Sequence, residues 1–268
     1  MSERKQNKKI DNKAPVIVGV GDFTDRSKED GLNPQELLAK ASQLAIKDSG
    51  IKDLNKQIDY VGVVRFSVDF LTATNQSSFQ YSNFPRTLSN KLGIQATNEI
   101  YAPMGGNSPQ VLLEDALIKI SSGETDCALL AGGEALQTMI ARLKAGMSLD
   151  WLDEPGGNPE MIGNNAIGFS EHEKIHGMDL PTNVYPLFAQ SLRKKDNKTA
   201  EQHLKECSSL FSEFSKVASN NPYSWFPTFR SEEEIASVTK NNRLVGFPYT
   251  KYLNSVSYTH LRAHETHE

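Results

Sequence analysis

Residues 98–136, NEIYAPMGGNSPQVLLEDALIKISSGETDCALLAGGEAL, constrain the fold more than any other part of the chain. An apolar stretch at 96–101 runs into Gly105-Gly106. A helix follows with Pro109 in its opening turn, and Gly123 closes it. A second apolar stretch, 127–131, ends at Gly132-Gly133. The order is strand, glycine turn, helix, glycine-terminated loop, strand. The helix carries Val111, Leu112, Leu113, Ala116, Leu117, Ile118 and Ile120 over most of its circumference. That pattern predicts burial on nearly all sides.

The same grammar recurs before and after it. Residues 15–21 form a short apolar run, predicted as a buried strand. Asn33 can cap a helix with Pro34 at its first position and Glu36 in its first turn. Leu37, Leu38, Ala41, Leu44 and Ala45 follow at helical spacing, and Gly50 closes the helix. Residues 59–68 are β-branched and apolar, a second strand, and 85–92 make a short helix. This βαβαβαβ order gives an α/β fold with a mostly parallel sheet covered on both faces. From residue 147 to 165 the chain is rich in Gly, Pro and Asn and reads as loop. Two helices are predicted at about 184–194 and 199–219. In the second, Leu204, Cys207, Phe211, Phe214 and Ala218 share a face, and Asn221-Pro222 ends it. Ser231 with Glu234 makes a capping box for a short third helix.

Composition bounds the partners. The formal net charge of −4 argues against nucleic-acid binding as the main activity. No apolar run approaches the ~18 residues of a membrane helix. Residues 1–13 are basic without an apolar core, so they read as a solvated, disordered arm rather than a secretory signal. Cys127 and Cys207 suggest no disulfide framework, and the expected compartment is cytoplasmic. Residues 256–266, VSYTHLRAHET, match the translation of one frame of a common transposase sequencing adapter. Residues 256–268 are therefore expected to be an artefactual tail on a truncated reading frame. His260, His264 and His267 then carry no functional information.

The turn at Gly105, Gly106, Asn107 and Ser108 is the leading candidate site. A buried helix start presents free N–H groups and a positive dipole end, which suit a developing oxyanion or a bound anion. Strand-to-helix turns at the carboxyl ends of parallel strands are where α/β proteins bind ligands. Equally, two glycines there can simply make a tight turn. Ser108 without an identified base reads as a helix cap before it reads as a nucleophile. Cys127 lies in an apolar strand and Cys207 on the apolar face of a helix, so both read as inert core thiols. His172-Glu173-Lys174-Ile175-His176 matches the zinc-binding H-E-x-x-H pattern. Gly177 breaks the helix directly after it and no third ligand follows at suitable spacing, so no metal is expected. Gly19-Val20-Gly21-Asp22 is too short for a dinucleotide fingerprint. Arg243 with Tyr223, Trp225 and Tyr249 forms an aromatic and basic group in sequence, suited either to adenine or pantetheine or to core and hinge packing.

The run PVIVGVGDFTDR, the GGNSPQ turn with ALIKISSGETDCALLAGGE, and the later NPYSW and NNRLVGFPYTK resemble, in order and spacing, the thiolase superfamily. The likeness is to its acetyl-CoA acetyltransferase branch, related to the sterol-carrier thiolases, and spans residues 14–255. It implies a thiolase-like N-terminal domain at 14–146 and a helical loop domain at 147–243. A link at 244–255 would lead to a C-terminal domain that is missing. It implies an acyltransferase of lipid metabolism that takes a coenzyme A thioester as substrate or ligand, with no covalently bound cofactor. The whole protein would be a homodimer or a complex with a small partner subunit. His172, Tyr223, Trp225 and Arg243 would lie near coenzyme A. In thiolases the nucleophilic cysteine opens the helix after the glycine turn, and the register on Gln110 puts that position at Gly105. The cradle is kept and the attacking atom is absent. Two other readings follow: a carbon–carbon lyase acting on coenzyme A thioesters without the cysteine, and a non-catalytic subunit that only holds acyl-CoA.

Overall fold

The computed structural model describes residues 14–67, 81–164, 168–222, 224, 226–246 and 249–253. The basic arm at 1–13 and the tail at 256–268 lie outside the described residues. The chain divides into two compact units, Met1–Asn165 and Ala166–Glu268.

In the first unit, helix α1 (Pro34–Asp48) starts as its sequence dictates. The Asn33 side chain accepts from the Glu36 N–H at 2.9 Å, and the Asn33 N–H donates back to the Glu36 carboxylate at 3.1 Å. Strand β1 (Tyr60–Val64) follows, then α2 (Phe84–Leu92), capped by Asn83 and ended by Gly93 with φ +66°. Next come β2 (Asn98–Ala102), α3 (Ser108–Ser122), β3 (Ala128–Ala131), α4 (Leu136–Lys144) and β4 (Glu160–Met161). The order in the sheet is β3-β1-β2-β4, and every pairing is parallel. The α/β class and the parallel sheet read from the sequence are therefore present. Two details were not legible. Helix α4 lies in a stretch given no helix, and β4 pairs with Ile100 and Tyr101 from inside the Gly/Pro-rich stretch read as loop.

Alternation along the strands divides the core. Val61, Val63, Tyr101 and Leu129 face α1 and α2, where they join Leu38, Leu88 and the edge-packed rings of Phe66, Tyr81 and Phe84. Tyr60, Ile100 and Ala102 face α3 and pack against Leu112 and Ala116. Gly62 also points to that side. A Cβ there would stand 2.7 Å from Leu112 Cδ1, so α3 packs on β1 closely enough that a side chain at this position would force Leu112 or Tyr60 to shift.

Two expectations fail here. Helix α3 is not buried on nearly all sides. Its buried residues are Ser108, Leu112 and Ala116, while Leu117 and Ile118 are 37% and 61% exposed. The sheet covers one face of the helix, and Leu117 and Ile118 lie away from it. Nor is 15–21 a buried strand. It forms no strand, and Val16 and Ile17 are each 75% exposed. Gly19 and Gly21 instead lay their backbone against α1. A Cβ at either would collide with the Ala45 or Ala41 carbonyl, and Val20 N–H donates to Asp48 at 2.9 Å.

The second unit contains α5 (Glu171–Ile175), α6 (Pro181–Lys195), α7 (Ala200–Ser219), α8 (Glu232–Ala236) and an antiparallel pair, β5 (Leu244–Gly246) with β6 (Tyr249–Thr250). The capping boxes Thr199/Gln202 and Ser231/Glu234 open α7 and α8. Its core is Ile235, Tyr249 and Leu253, with Leu204, Cys207 and Phe211 of α7 packed on them. Phe214, on the same predicted face, stays 48% exposed. Buried Asn242 ties the unit together: its amide donates to the Glu234, Ile235 and Ser237 carbonyls, and its Oδ1 accepts from Tyr252 N–H at 2.8 Å.

Candidate functional site

Strand β2 delivers the chain through buried Pro103 to an exposed turn, Gly105-Gly106-Asn107, which opens α3. Part of the helix start satisfies itself. Ser108 N–H donates to the Gly105 carbonyl at 3.1 Å, Gln110 and Val111 donate to Asn107, and Pro109 has no N–H. Among the described residues the N–H groups of Gly106 and Asn107 have no backbone acceptor. Neither glycine has positive φ, so the turn does not need glycine for its backbone. A Cβ built on Gly105 would meet Asn107 Oδ1 at 3.1 Å and Ser108 Oγ at 3.2 Å, and nothing else nearby. A small side chain there would face these two polar groups after a slight shift of the exposed Asn107. Ser108 is not a cap. Asn107 holds that position without a side-chain cap, and Ser108 is 2% exposed inside the first turn.

The neighbouring strand ends were missed in the sequence. Glu134, directly after Gly132-Gly133, accepts from Ser67 N–H at 2.8 Å and 3.1 Å and from Ser67 Oγ at 2.7 Å. This carboxylate fastens the end of β1 to the end of β3. The signal was present: a Gly-Gly pair closes an apolar strand at 132–133 just as one does at 105–106. The Arg65 guanidinium lies 4.6 Å over the Tyr101 ring at the same edge. On the other edge, Gly163 with φ +77° passes against Pro103 and Val111 beside the start of α3. A shallow surface depression lined by Leu32, Glu36, Ala39, Lys40, Gln43 and Lys91 involves none of these strand ends.

The remaining candidates separate clearly. Glu173 completes the capping box of α5 with its N-cap Ser170. Its carboxylate takes Ser170 N–H at 2.7 Å and Ser170 Oγ at 2.8 Å, and these bonds hold it below the usual carboxylate range. The His172 and His176 rings touch edge-on at 4.8 Å on an exposed five-residue helix. Among the described residues no group of three His, Cys, Asp or Glu side chains is placed to hold a metal ion. Cys127 is half-buried, and burial, then Asp59 and Asp126, push its thiol up. Cys207 is not isolated from ionisable groups: His203 Nε2 lies 3.6 Å from its sulfur. Burial, then Glu206, raise that thiol's pKa. Arg243 is exposed and its carbonyl accepts from Lys251, while Tyr223 and Trp225 lie outside the described residues. No described helix is long and apolar enough to cross a membrane.

No family model matches the chain. Neither does any curated protein. A solved structure does: the monomeric SCP2-thiolase-like protein type 1 of Mycobacterium smegmatis. It superposes with a TM-score of 0.65 at 28% identity, over 90% of this chain and 43% of that one. The chain thus spans under half the length of this neighbour. With its parallel sheet, its glycine turn at the end of β2 and its helix packed on one face, the chain has a thiolase-like α/β fold.

Proposed function

We propose that the protein is an acyl-CoA-handling member of the thiolase superfamily that binds the thioester carbonyl at Gly105–Ser108 without forming an acyl-enzyme. The observation that carries this reading is the exposed turn at the end of β2. It offers the Gly106 and Asn107 N–H groups at the positive end of α3 and has glycine where the superfamily has its cysteine. Donors in that geometry favour an oxygen that gains negative charge. They therefore suit cleavage of a carbon–carbon bond next to the thioester, where the departing pair rests on the carbonyl oxygen as an enolate. That supports the lyase as the second reading. Acyl transfer through a thioester on the protein has no thiol at this turn.

The test uses the chain with acetyl-CoA. Calorimetry should show binding, and intact-mass spectrometry should show no adduct. Gly106→Val should abolish binding and leave the melting temperature unchanged, because Gly106 is exposed and free of positive φ. A stoichiometric acetyl adduct on Ser108, Cys127 or Cys207 would refute the non-covalent reading. Undisturbed binding by Gly106→Val would refute the location.

A further inference from the structure

Gly105 leaves the space in front of its own Cα unfilled, and two side-chain oxygens border that space. A Cβ on Gly105 would stand 3.1 Å from Asn107 Oδ1 and 3.2 Å from Ser108 Oγ. Ser108 is only 2% exposed, and its hydroxyl makes no hydrogen bond to another described residue. A buried hydroxyl ordinarily has a partner, so one left open and facing a vacant position marks a place for a ligand atom. Gly105, Gly106 and Asn107 are exposed, so the position is open to solvent. A molecule with two hydrogens to donate fits the two oxygens. Water is the smallest, and a polar position with two partners and open access is where an ordered water settles.

We propose that Asn107 and Ser108 hold a water molecule where a cysteine side chain would stand, and that the protein hydrolyses the thioester bound at this turn. The inference rests on the thioester reading given above. A water that donates one hydrogen to Asn107 Oδ1 and the other to Ser108 Oγ turns its lone pairs away from both oxygens, toward the ligand side of the turn. A side-chain amide can orient an attacking water in this way without taking its proton. The positive end of α3 stabilises the charge that the carbonyl oxygen gains as the water adds. In the step itself the water oxygen bonds to the carbonyl carbon and the carbon–sulfur bond breaks. One water proton passes to the departing sulfur through the Ser108 hydroxyl, which accepts a proton as it gives up its own. The products are a free carboxylic acid and coenzyme A. A thiol with a pKa of about 8.5 leaves readily, so no strong acid is needed. Ser108 forms no bond to carbon, and no acyl-enzyme arises.

The probes are acetyl-CoA, with free thiol release followed by a colorimetric thiol reagent, and acetyl-dethia-CoA, a ketone isostere that reads binding without turnover. The full chain should release thiol with saturation kinetics. Gly105→Ala puts a methyl group into the water position, and the absence of positive φ at Gly105 lets the backbone accept it. This variant should keep its melting temperature, bind the isostere as the parent does, and lose about 100-fold in kcat, which is what misplacing a reacting atom by about 1 Å costs. Asn107→Asp supplies a readout that a structural role would not move. Its rate should climb as the new carboxylate loses its proton, because the ionised oxygen accepts from water and the protonated one does not; the parent should show no such acid limb. Binding of the isostere without thiol release would overturn the hydrolysis and leave the thioester reading standing, whereas absence of binding would remove both. Thiol release undiminished by Gly105→Ala, or an Asn107→Asp profile like the parent's, would overturn the water site.

Discussion

Gly62 tests how α3 is held against the sheet. It occupies the centre of β1, where glycine ordinarily costs about 0.5–1 kcal/mol relative to alanine. Gly62→Ala should therefore stabilise an uncrowded strand. Here the new Cβ would meet Leu112 Cδ1 at 2.7 Å, Tyr60 Cε1 at 2.9 Å and Leu112 Cγ at 3.1 Å. Ordinary contact begins near 3.4 Å, so α3 must retreat by roughly 0.7 Å or Leu112 must leave its rotamer, and overpacking of this kind costs about 1–3 kcal/mol. The net expectation is a loss of about 0–2.5 kcal/mol by urea denaturation. Leu112→Ala alone empties a site that is 1% exposed and should cost about 2–5 kcal/mol. In the double variant the methyl added to the strand fills part of the space Leu112 vacates. The two losses should then fall short of their sum by about 1–2 kcal/mol, within the range for residues in direct contact. Gly62→Ala alone should also weaken acyl-CoA binding, because the helix that lifts carries the Gly105–Ser108 turn. A stabilised Gly62→Ala, or additivity to within about 0.5 kcal/mol, would refute the contact between β1 and α3 as the constraint.

Gly105→Cys restores a thiol at the positive end of α3. Its exposed position beside Asn107 and Ser108 predicts rapid iodoacetamide labelling, slowed by coenzyme A; slow labelling indifferent to the ligand would place the turn in buried structure. Asp25 accepts from Leu32 N–H and Ser27 N–H at 2.8 Å and 2.9 Å, and although burial acts to raise its pKa, these bonds bring it below the ordinary 3.8. Its contribution is therefore present above the ordinary value and lost as pH falls through the folded one. Asp25→Asn should destabilise slightly at neutral pH, by little because the carboxylate is mostly solvated, and the difference should shrink as pH falls below the ordinary 3.8.

The sequence announces what local chemistry decides. Asn33, Thr199 and Ser231 each cap a helix with the acid or amide three residues on, and glycines end α1, α2 and α3 with positive φ where the pattern stops. The three principal strands lie where the apolar runs lie. Three things needed tertiary context. The Glu134–Ser67 clasp joins residues 67 positions apart: Gly132-Gly133 marks the end of β3 beside Glu134, but nothing in the sequence marks Ser67 as its partner. The His203–Cys207 spacing was visible on α7, but Tyr249 closes on it from β6, and only the fold brings the two together. Strand β4 exists because Glu160 and Met161 find an open edge on β2, and its Glu160 carboxylate ties to Lys119 of α3 at 2.8 Å. A two-residue strand has too little periodicity to be read in advance.

Burial is where pattern and structure part most sharply, and the reason is general. Periodicity records how much of a helix is apolar, not whether a neighbour exists to cover it. Helix α3 carries apolar residues around most of its surface, yet the sheet takes only the Leu112–Ala116 side, leaving Ile118 61% exposed. Ile118→Glu separates two accounts of that outer face. If the face meets water, the substitution removes little burial and should stay within about 0.5 kcal/mol of the parent in urea, as surface changes do. It should also reduce binding of a hydrophobic dye and raise solubility, because a charge replaces an exposed apolar side chain. If the face is covered in solution by a second copy of the chain, the buried carboxylate would be left unpaired. Light scattering would then show dissociation, and the parent's stability would depend on its concentration while the variant's would not. A large loss of stability with no change in mass would contradict both accounts and would mean that α3 packs differently on the sheet from the arrangement that Gly62 and Leu112 define.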